Sequence, residues 1–291
     1  MELWNKLYKS VELRLQLEHL YKVEVITASE AQCAEAIIKE LYIRRSGIRP
    51  EQLRALRTEY EFINVADCIT DNIKFKTTAL NELLSELKAI TLNFKNNVLK
   101  AELLKREITI KDKTYALGSG GLHSIDEPGV YTTDENNIIY DIDVTSYYPS
   151  IILNMSLHPG HLTSTWTDIL REITEERIKA KQSGEKLKAD SLKIVINSAY
   201  GKTGNQYSFM CDPKLMLTVT ITGQLSLLML VELLSEADIE VISANTDGIT
   251  AKVKVDQVKE FTAICDAWQK STGFNLEKTV YKKYIRRDIS N

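Results

Sequence analysis

The sequence predicts an α+β fold: an antiparallel sheet with helices on one face, a helical pair projecting from it, and a mainly helical N-terminal region. Three observations lead there. Apolar residues recur at helical spacing in the first third of the chain. Ile138 to Val144 then alternates as a strand does. Later, an Asn-Thr-Asp-Gly turn at 245–248 joins two β-branched runs, a strong hairpin signal.

Element by element, Leu7, Val11, Leu15, Leu17 and Leu20 predict a helix over 4–22. Ser29 with Gln32 forms a capping box that opens a helix to about Tyr42. Arg49-Pro50 breaks the pattern, and Leu80, Leu83, Leu84 and Leu87 place a third helix over about 78–87. From about residue 106 the texture changes, with Ile108, Ile110 and Tyr115 in short strands and a flexible turn at Gly118-Ser119-Gly120-Gly121. The strand at 138–144 is taken to end at Pro149. Helices follow at about 167–182, 190–200 and 214–235, then the hairpin Glu240–Ala244 and Ile249–Val253. A helix over 256–270 and a strand over 279–285 close the chain.

The 291 residues suit two modules at ~150 residues per domain. With 44% hydrophobic and 26% charged residues, disorder, collagen and coiled-coil fibre are excluded. Four scattered cysteines with no CxxC pair argue against a disulfide frame and a cysteine zinc site. His158 and His161 flank Pro-Gly, which reads as a tight loop rather than a ligand pair. The longest apolar stretches, such as Leu225 to Leu234, are about half the ~20 residues of a membrane span. The start lacks a signal-peptide pattern, so the expected address is cytoplasmic, with no membrane partner.

The pI of about 5.9 weighs slightly against a dedicated nucleic-acid binder. The distribution of charge matters more. Arg177, Lys179, Lys181, Lys186, Lys188 and Lys193 form one basic cluster; Lys278, Lys282, Lys283, Arg286 and Arg287 form another. An isolated charge run is most simply a solvated face, so context must decide. Asp143 at a strand end and Asp247 at a hairpin tip supply that context. Neighbouring strands would bring the carboxylates together as hard oxygen ligands, which suit magnesium with substrate phosphates. Two metals ~3.5–4 Å apart can clamp the oxygens of a phosphoryl transfer. A triphosphate held opposite needs a cationic surface, which Arg177, Lys181 and Lys193 can present; Lys179, Lys186 and Lys188 are expected to face solvent.

Five motifs now fall into one order. DVTSYYPSII (143–152) resembles the first palm motif of family B DNA polymerases, and KIVINSAYG (193–201) the finger-helix motif. NTDG (245–248) is similar to the second palm motif, YKKY (281–284) to the basic motif after it, and GSGGLHS (118–124) to the glycine-rich segment of phage-type members. The resemblance covers about residues 115–291 and implies a division into an N-terminal helical remnant of an exonuclease-domain tail (1–112), palm (113–165), fingers (166–205) and palm again (206–291).

It also implies roles. Asp143 and Asp247 would be the catalytic ligands of two magnesium ions, for which manganese can substitute, with the Val144 carbonyl as a further ligand. Ser146 and Tyr148 would meet the incoming nucleotide, Tyr148 excluding a 2′-hydroxyl, while Tyr147 is assigned to the core. Arg177, Lys181 and Lys193 would bind the triphosphate, and Asn197, Tyr200 and Gly201 would line the nascent base pair. Asn205 could extend that wall or form a turn after Gly204; both readings stand. Gly120 and Gly121 would approach the template, and Lys282, Lys283 and Tyr284 would hold the primer–template duplex by its backbone.

Two departures qualify the match. Asn245 stands where most members have Asp, keeping an oxygen but losing a charge. The N-terminal region has no Asp-x-Glu pair and IRRDISN stops where the family continues, so neither 3′–5′ exonuclease activity nor a thumb is expected, and a separate chain could supply either. The expectation is a DNA-directed DNA polymerase using dNTPs and primer–template DNA in phage or mobile-element replication. The rivals are an inert truncated fragment that only binds nucleic acid, and a primase-like or terminal transferase activity, for which the sequence has no initiation motif.

Overall fold

The computed structural model describes residues 2–93, 104–118 and 120–286. Ser119 of the glycine-rich turn and Arg287 of the second basic cluster lie outside the described residues. In chain order come α1 (Glu2–Tyr21), α2 (Glu30–Ser46), α3 (Pro50–Ala55), β1 (Phe62–Asn64), α4 (Thr78–Lys88) and β2 (Thr91–Asn93). Next are β3 (Arg106–Ile110), β4 (Lys113–Leu117), β5 (His123–Ile125), β6 (Gly129–Thr132) and β7 (Asn137–Val144). They lead to α5 (Tyr147–Asn154), α6 (Thr165–Gln182), α7 (Lys186–Thr203) and α8 (Pro213–Glu236). Last are β8 (Glu240–Asn245), β9 (Gly248–Lys254), α9 (Val258–Thr272), β10 (Leu276–Tyr281) and β11 (Lys283–Arg286). The class is α+β with antiparallel sheets, as the sequence predicts.

Two compact units form, one of residues 1–59 with 152–216, the other of 60–151 with 217–291. The first is helical. Its α2 packs on α6 and α7, and α1 packs on α7. Ile37, Ile38, Leu170, Ile173, Leu192 and Val195 are buried here. The predicted capping box opens α2, with Ser29 and Gln32 each bonding the other's backbone N–H. That helix runs past Tyr42 to Ser46. Pro50 does not simply break the chain: it starts α3, where its missing N–H costs nothing.

The second unit holds a seven-stranded antiparallel sheet in the order β10-β7-β9-β8-β5-β4-β3. Period-2 alternation sorts β7 into two faces. Tyr140 lies on one and stacks on Phe261 of α9, with ring centroids 4.8 Å apart. Asp141 and Asp143 lie on the other. Helix α9 is tied to α8 by the Trp268 indole N–H, which donates to the Ser226 carbonyl at 2.8 Å. By length and composition α8 could cross a membrane, but 94% of its apolar window is buried in the protein.

The N-terminal third is mainly helical, with two short strands, β1 and β2, paired antiparallel within it. Two strand expectations need correction. The strand at 138–144 ends at Val144, and Pro149 sits in the first turn of α5 instead of closing the strand. The final strand is two: β10 pairs with β7, whereas β11 pairs with β6 in a separate two-stranded sheet.

Glu232 of α8 is buried and caps the start of α4. Its carboxylate accepts from the Lys76 N–H at 3.0 Å, the Thr77 N–H at 2.8 Å and the Thr77 hydroxyl at 2.7 Å. A buried charge is tolerated when its oxygens are satisfied in this way. Glu232→Ala strands those donors and is expected to lower unfolding free energy by ~1–3 kcal/mol, read from the urea midpoint. Glu232→Gln, which retains an acceptor, should lose less.

Candidate active site

The acidic face of β7 is built by register. Asp143 pairs with Gly248 of β9 on one side and with Glu277 of β10 on the other. One residue on, the Val144 N–H donates to the Asp247 carbonyl at 2.7 Å, so the two predicted catalytic carboxylates lie on directly bonded segments. Gly248 leaves the space that Asp143 fills: a Cβ there would lie 1.9 Å from Asp143 Oδ1.

Both loops at this end of the sheet are strained. Ser146, between β7 and α5, has φ 48°, and Thr246, between β8 and β9, has φ 49°. For a β-branched threonine that left-handed geometry is costly, and such outliers gather where the surroundings over-determine them. Thr246 is held by its N–H to the Leu122 carbonyl at 2.7 Å, and the Asp247 N–H closes on the Asn245 carbonyl at 2.5 Å. Gly121 meets the same turn, since a Cβ on it would fall 2.5 Å from Thr246 Cα. The glycine-rich segment is fixed from beneath by Gln224, whose amide bonds both Gly118 backbone groups and the Gly120 carbonyl, at 2.6–3.0 Å. Beside it opens a cavity of about 560 Å³ lined by Lys105, Arg106, Gly120, Gly121 and His123.

The carboxylates repel one another. Burial, then Asp141, Asp247 and Glu277, push Asp143 up to about 6. Burial and Asp141 also raise Asp247. Among the described residues no three His, Cys, Asp or Glu side chains form a ready-made cage for an ion. Two raised carboxylates on directly bonded segments still suit magnesium, which takes one or two carboxylates and fills its remaining positions from water and phosphate. Because the folded-state value of Asp143 is raised, its contribution to stability is present below about 4 and is lost as pH rises through about 6. Ion-free protein at pH 7.5 should therefore melt higher as Asp143→Asn than as wild type. Magnesium should raise the wild-type melting temperature at pH 7.5 and do so less at pH 5.5, measured by scanning calorimetry.

Tyr147 is core, as expected: its hydroxyl donates to the Gly223 carbonyl at 2.7 Å, and Phe274 meets its ring edge-on at 5.3 Å. Burial raises its hydroxyl well above the usual tyrosine range. Tyr148 stacks on Tyr147 at 6.1 Å with the rings nearly parallel, which fixes its plane. Tyr284 packs near Tyr131 of β6, at 6.3 Å, while Lys282 and Lys283 are exposed.

In the helical unit, Lys193, Asn197, Tyr200 and Gly201 recur at i, i+4, i+7 and i+8 on α7, one face of the helix. Lys193, Asn197 and Gly201 are exposed and Tyr200 is half-buried. Arg177 and Lys181 follow one another on a single stripe of α6. Lys179 and Lys186 are exposed, but Lys188 is half-buried against Glu176 at 2.8 Å, an ion pair that spacing alone does not reveal. Asn205 makes a turn, its side chain accepting from the Tyr207 N–H at 2.9 Å. His161 is satisfied by the Phe209 carbonyl at 2.7 Å and the Thr58 hydroxyl at 3.0 Å, so the tight-loop reading holds. All four cysteines are free and buried.

Sequence reading missed Asp141, Glu277, Tyr281 and Gln224. The first had a signal: Asp141 stands two residues before Asp143 and must share its face. Gln224 had a weaker one, an amide inside an apolar helix.

No family model matches the chain. DNA polymerase II of Escherichia coli (strain K12) is 28% identical over 149 residues, a match that covers 42% of this chain and 19% of that protein. The family B DNA polymerase of the hyperthermophilic archaeon Pyrobaculum calidifontis superposes with a TM-score of 0.54 at 16% identity, over 97% of this chain and 33% of that one. The chain thus spans about a fifth of the curated relative and a third of the solved structure. In fold and in part of its sequence, this chain resembles a segment of a family B DNA polymerase.

Proposed function

We propose that the chain is a template-directed DNA polymerase that joins a nucleotide from a dNTP to a primer 3′-hydroxyl, in phage or mobile-element replication in a bacterial cytoplasm. The observation that carries this is the bonded pairing of the Asp143 strand with the Asp247 turn, both carboxylates raised by burial and by the neighbouring Asp141. Two divalent cations, magnesium by donor chemistry, would supply charge neutralisation for the attacking and leaving oxygens. Asp143 and Asp247 would hold them, with the Val144 carbonyl and, more remotely, the Asn245 amide as further oxygens.

The remaining roles fall on the chain's own side chains. Arg177, Lys181 and Lys193 take the charge of the triphosphate. Asn197, Tyr200 and Gly201 would face the nascent pair, and Ser146 and Tyr148 the sugar, where the Tyr148 ring would exclude a 2′-hydroxyl. Gly120 and Gly121 serve the template side. Lys282, Lys283 and Tyr284 hold the duplex by its phosphates, so binding is salt-sensitive.

The test is extension of a labelled primer on a DNA template at low salt with magnesium and dNTPs. Tyr148→Ala should then accept ribonucleotides at least ~10-fold better relative to dNTPs, a modest loss of steric discrimination. Folded protein that binds duplex but extends nothing would leave only the nucleic-acid-binding reading.

A further inference from the structure

Between β10 and β11 the chain changes sheets at a single residue, Lys282. Up to Tyr281 it is paired with β7, and from Lys283 it is paired with β6. The two lysines assigned to the primer–template thus sit where no single ladder runs through. The crossing is pinned by hydroxyl contacts. The Thr133 hydroxyl donates to the Tyr281 carbonyl at 2.7 Å and accepts from the Ile139 N–H at 3.0 Å, while the Thr133 N–H donates to the Lys282 carbonyl at 3.1 Å. The Tyr281 hydroxyl donates to Asp141 Oδ2 at 2.6 Å, a charge-assisted length, and the Thr250 hydroxyl holds Asp141 Oδ1 at 2.9 Å.

Asp141 is an odd choice for a structural role alone. It sits on the Asp143 face and adds negative charge beside two carboxylates that already repel one another. An uncharged β-branched residue would serve the sheet better. Its carboxylate is instead anchored from both sides, by β9 through Thr250 and by the end of β10 through Tyr281. That anchoring links the catalytic strand, through one side chain, to the residue immediately before Lys282 and Lys283.

Resting on the polymerase reading above, we propose that Tyr281 and Asp141 are a positioning pair: their hydrogen bond sets where the Lys282–Lys283 segment, and with it the primer 3′ end, stands relative to Asp143. Neither residue touches substrate. Tyr281→Phe removes only the hydroxyl, and Asp141→Asn weakens the acceptor. A misplacement of about 1 Å can cost on the order of 10²-fold in rate.

The test uses the full chain in single-turnover primer extension at saturating primer–template, with Asp247→Ala as the inactive control. Tyr281→Phe and Asp141→Asn are each expected to slow extension ~10–100-fold with the KM for dNTP within about threefold of wild type. Raising primer–template should not restore the rate, which separates misplacement from weak binding. The double variant should be no slower than the slower single variant, because one shared contact is lost. Melting temperatures should stay close to wild type, a readout that a merely structural role would move. Active wild type with Tyr281→Phe within twofold of it, with additive losses in the double variant, or with a loss that follows melting temperature would overturn this inference alone. Wild type that extends nothing would overturn the polymerase reading and the inference with it.

Discussion

Asp247→Ala is expected to lose primer extension by on the order of 10³-fold or more, above the ~10²–10³ that removal of one preorganised electrostatic group costs elsewhere. Asp143→Ala should fall as far, and the double variant little further, because residues that act as a unit are not additive. The geometry gives the reason. Asp143 is confined between Gly248 and Glu277, and Asp247 is placed by a backbone bond to the next residue of the same strand. Asp141, the other carboxylate on this strand, is held on both oxygens by Tyr281 and Thr250 and is not free to take over. Loss of extension should come without loss of fold, because removing one of several mutually repelling carboxylates relieves strain. Extension retained within tenfold in either variant would sink the two-carboxylate reading.

Gly121→Ala, in the loop between β4 and β5, is expected to be the most damaging small substitution beside the sheet. The added methyl would meet Thr246 at 2.5 Å from Cα and 2.7 Å from Cβ. Thr246 cannot yield easily, being held in a left-handed conformation by its bond to Leu122. Overpacking of this kind costs ~1–3 kcal/mol. The turn that must move is the one that carries Asp247, so extension should fall together with stability. Gly248→Ala makes the useful contrast. Its methyl strikes chiefly the end of the Asp143 side chain, at 1.9 Å from Oδ1, with the Ile142 carbonyl 3.0 Å away. There the melting temperature should fall less than in Gly121→Ala while extension is lost. Thermal melts and extension assays on the two variants separate the outcomes, and a Gly121→Ala chain that melts as wild type would refute the packing argument.

What the sequence disclosed follows from how local the cause is. The Asn245–Gly248 turn and the Ser29–Gln32 cap are written within four residues, and both form as read. Strands β1 and β2 are three residues each, too short to show a period against helical surroundings. Thr279 to Ile285 looks like one strand because β-branched and aromatic strand formers stand on both sides of the two lysines. The switch at Lys282 is set by where β6 lies, which is tertiary information. Likewise nothing near Lys202 announces Glu35, its partner at 2.6 Å from far away in the chain. Asp141 was legible by alternation, but alternation alone does not say that Tyr281 and Thr250 will hold it.

The order of strands in the large sheet bears on how the protein is made. Strand β7 leaves the ribosome with Ile138, Ile139, Ile142 and Val144, yet β9 is translated only after four further helices and β10 only after five. For that interval both of its edges are unpaired, a state that invites aggregation and calls on chaperones. Such distant pairings also close slowly, so the carboxylate centre should be among the last parts of the sheet to acquire protection from amide exchange during refolding. A nascent chain stalled before Gly248 would carry Asp143 and Asp247 and still lack the β7–β9 pairing that brings them together.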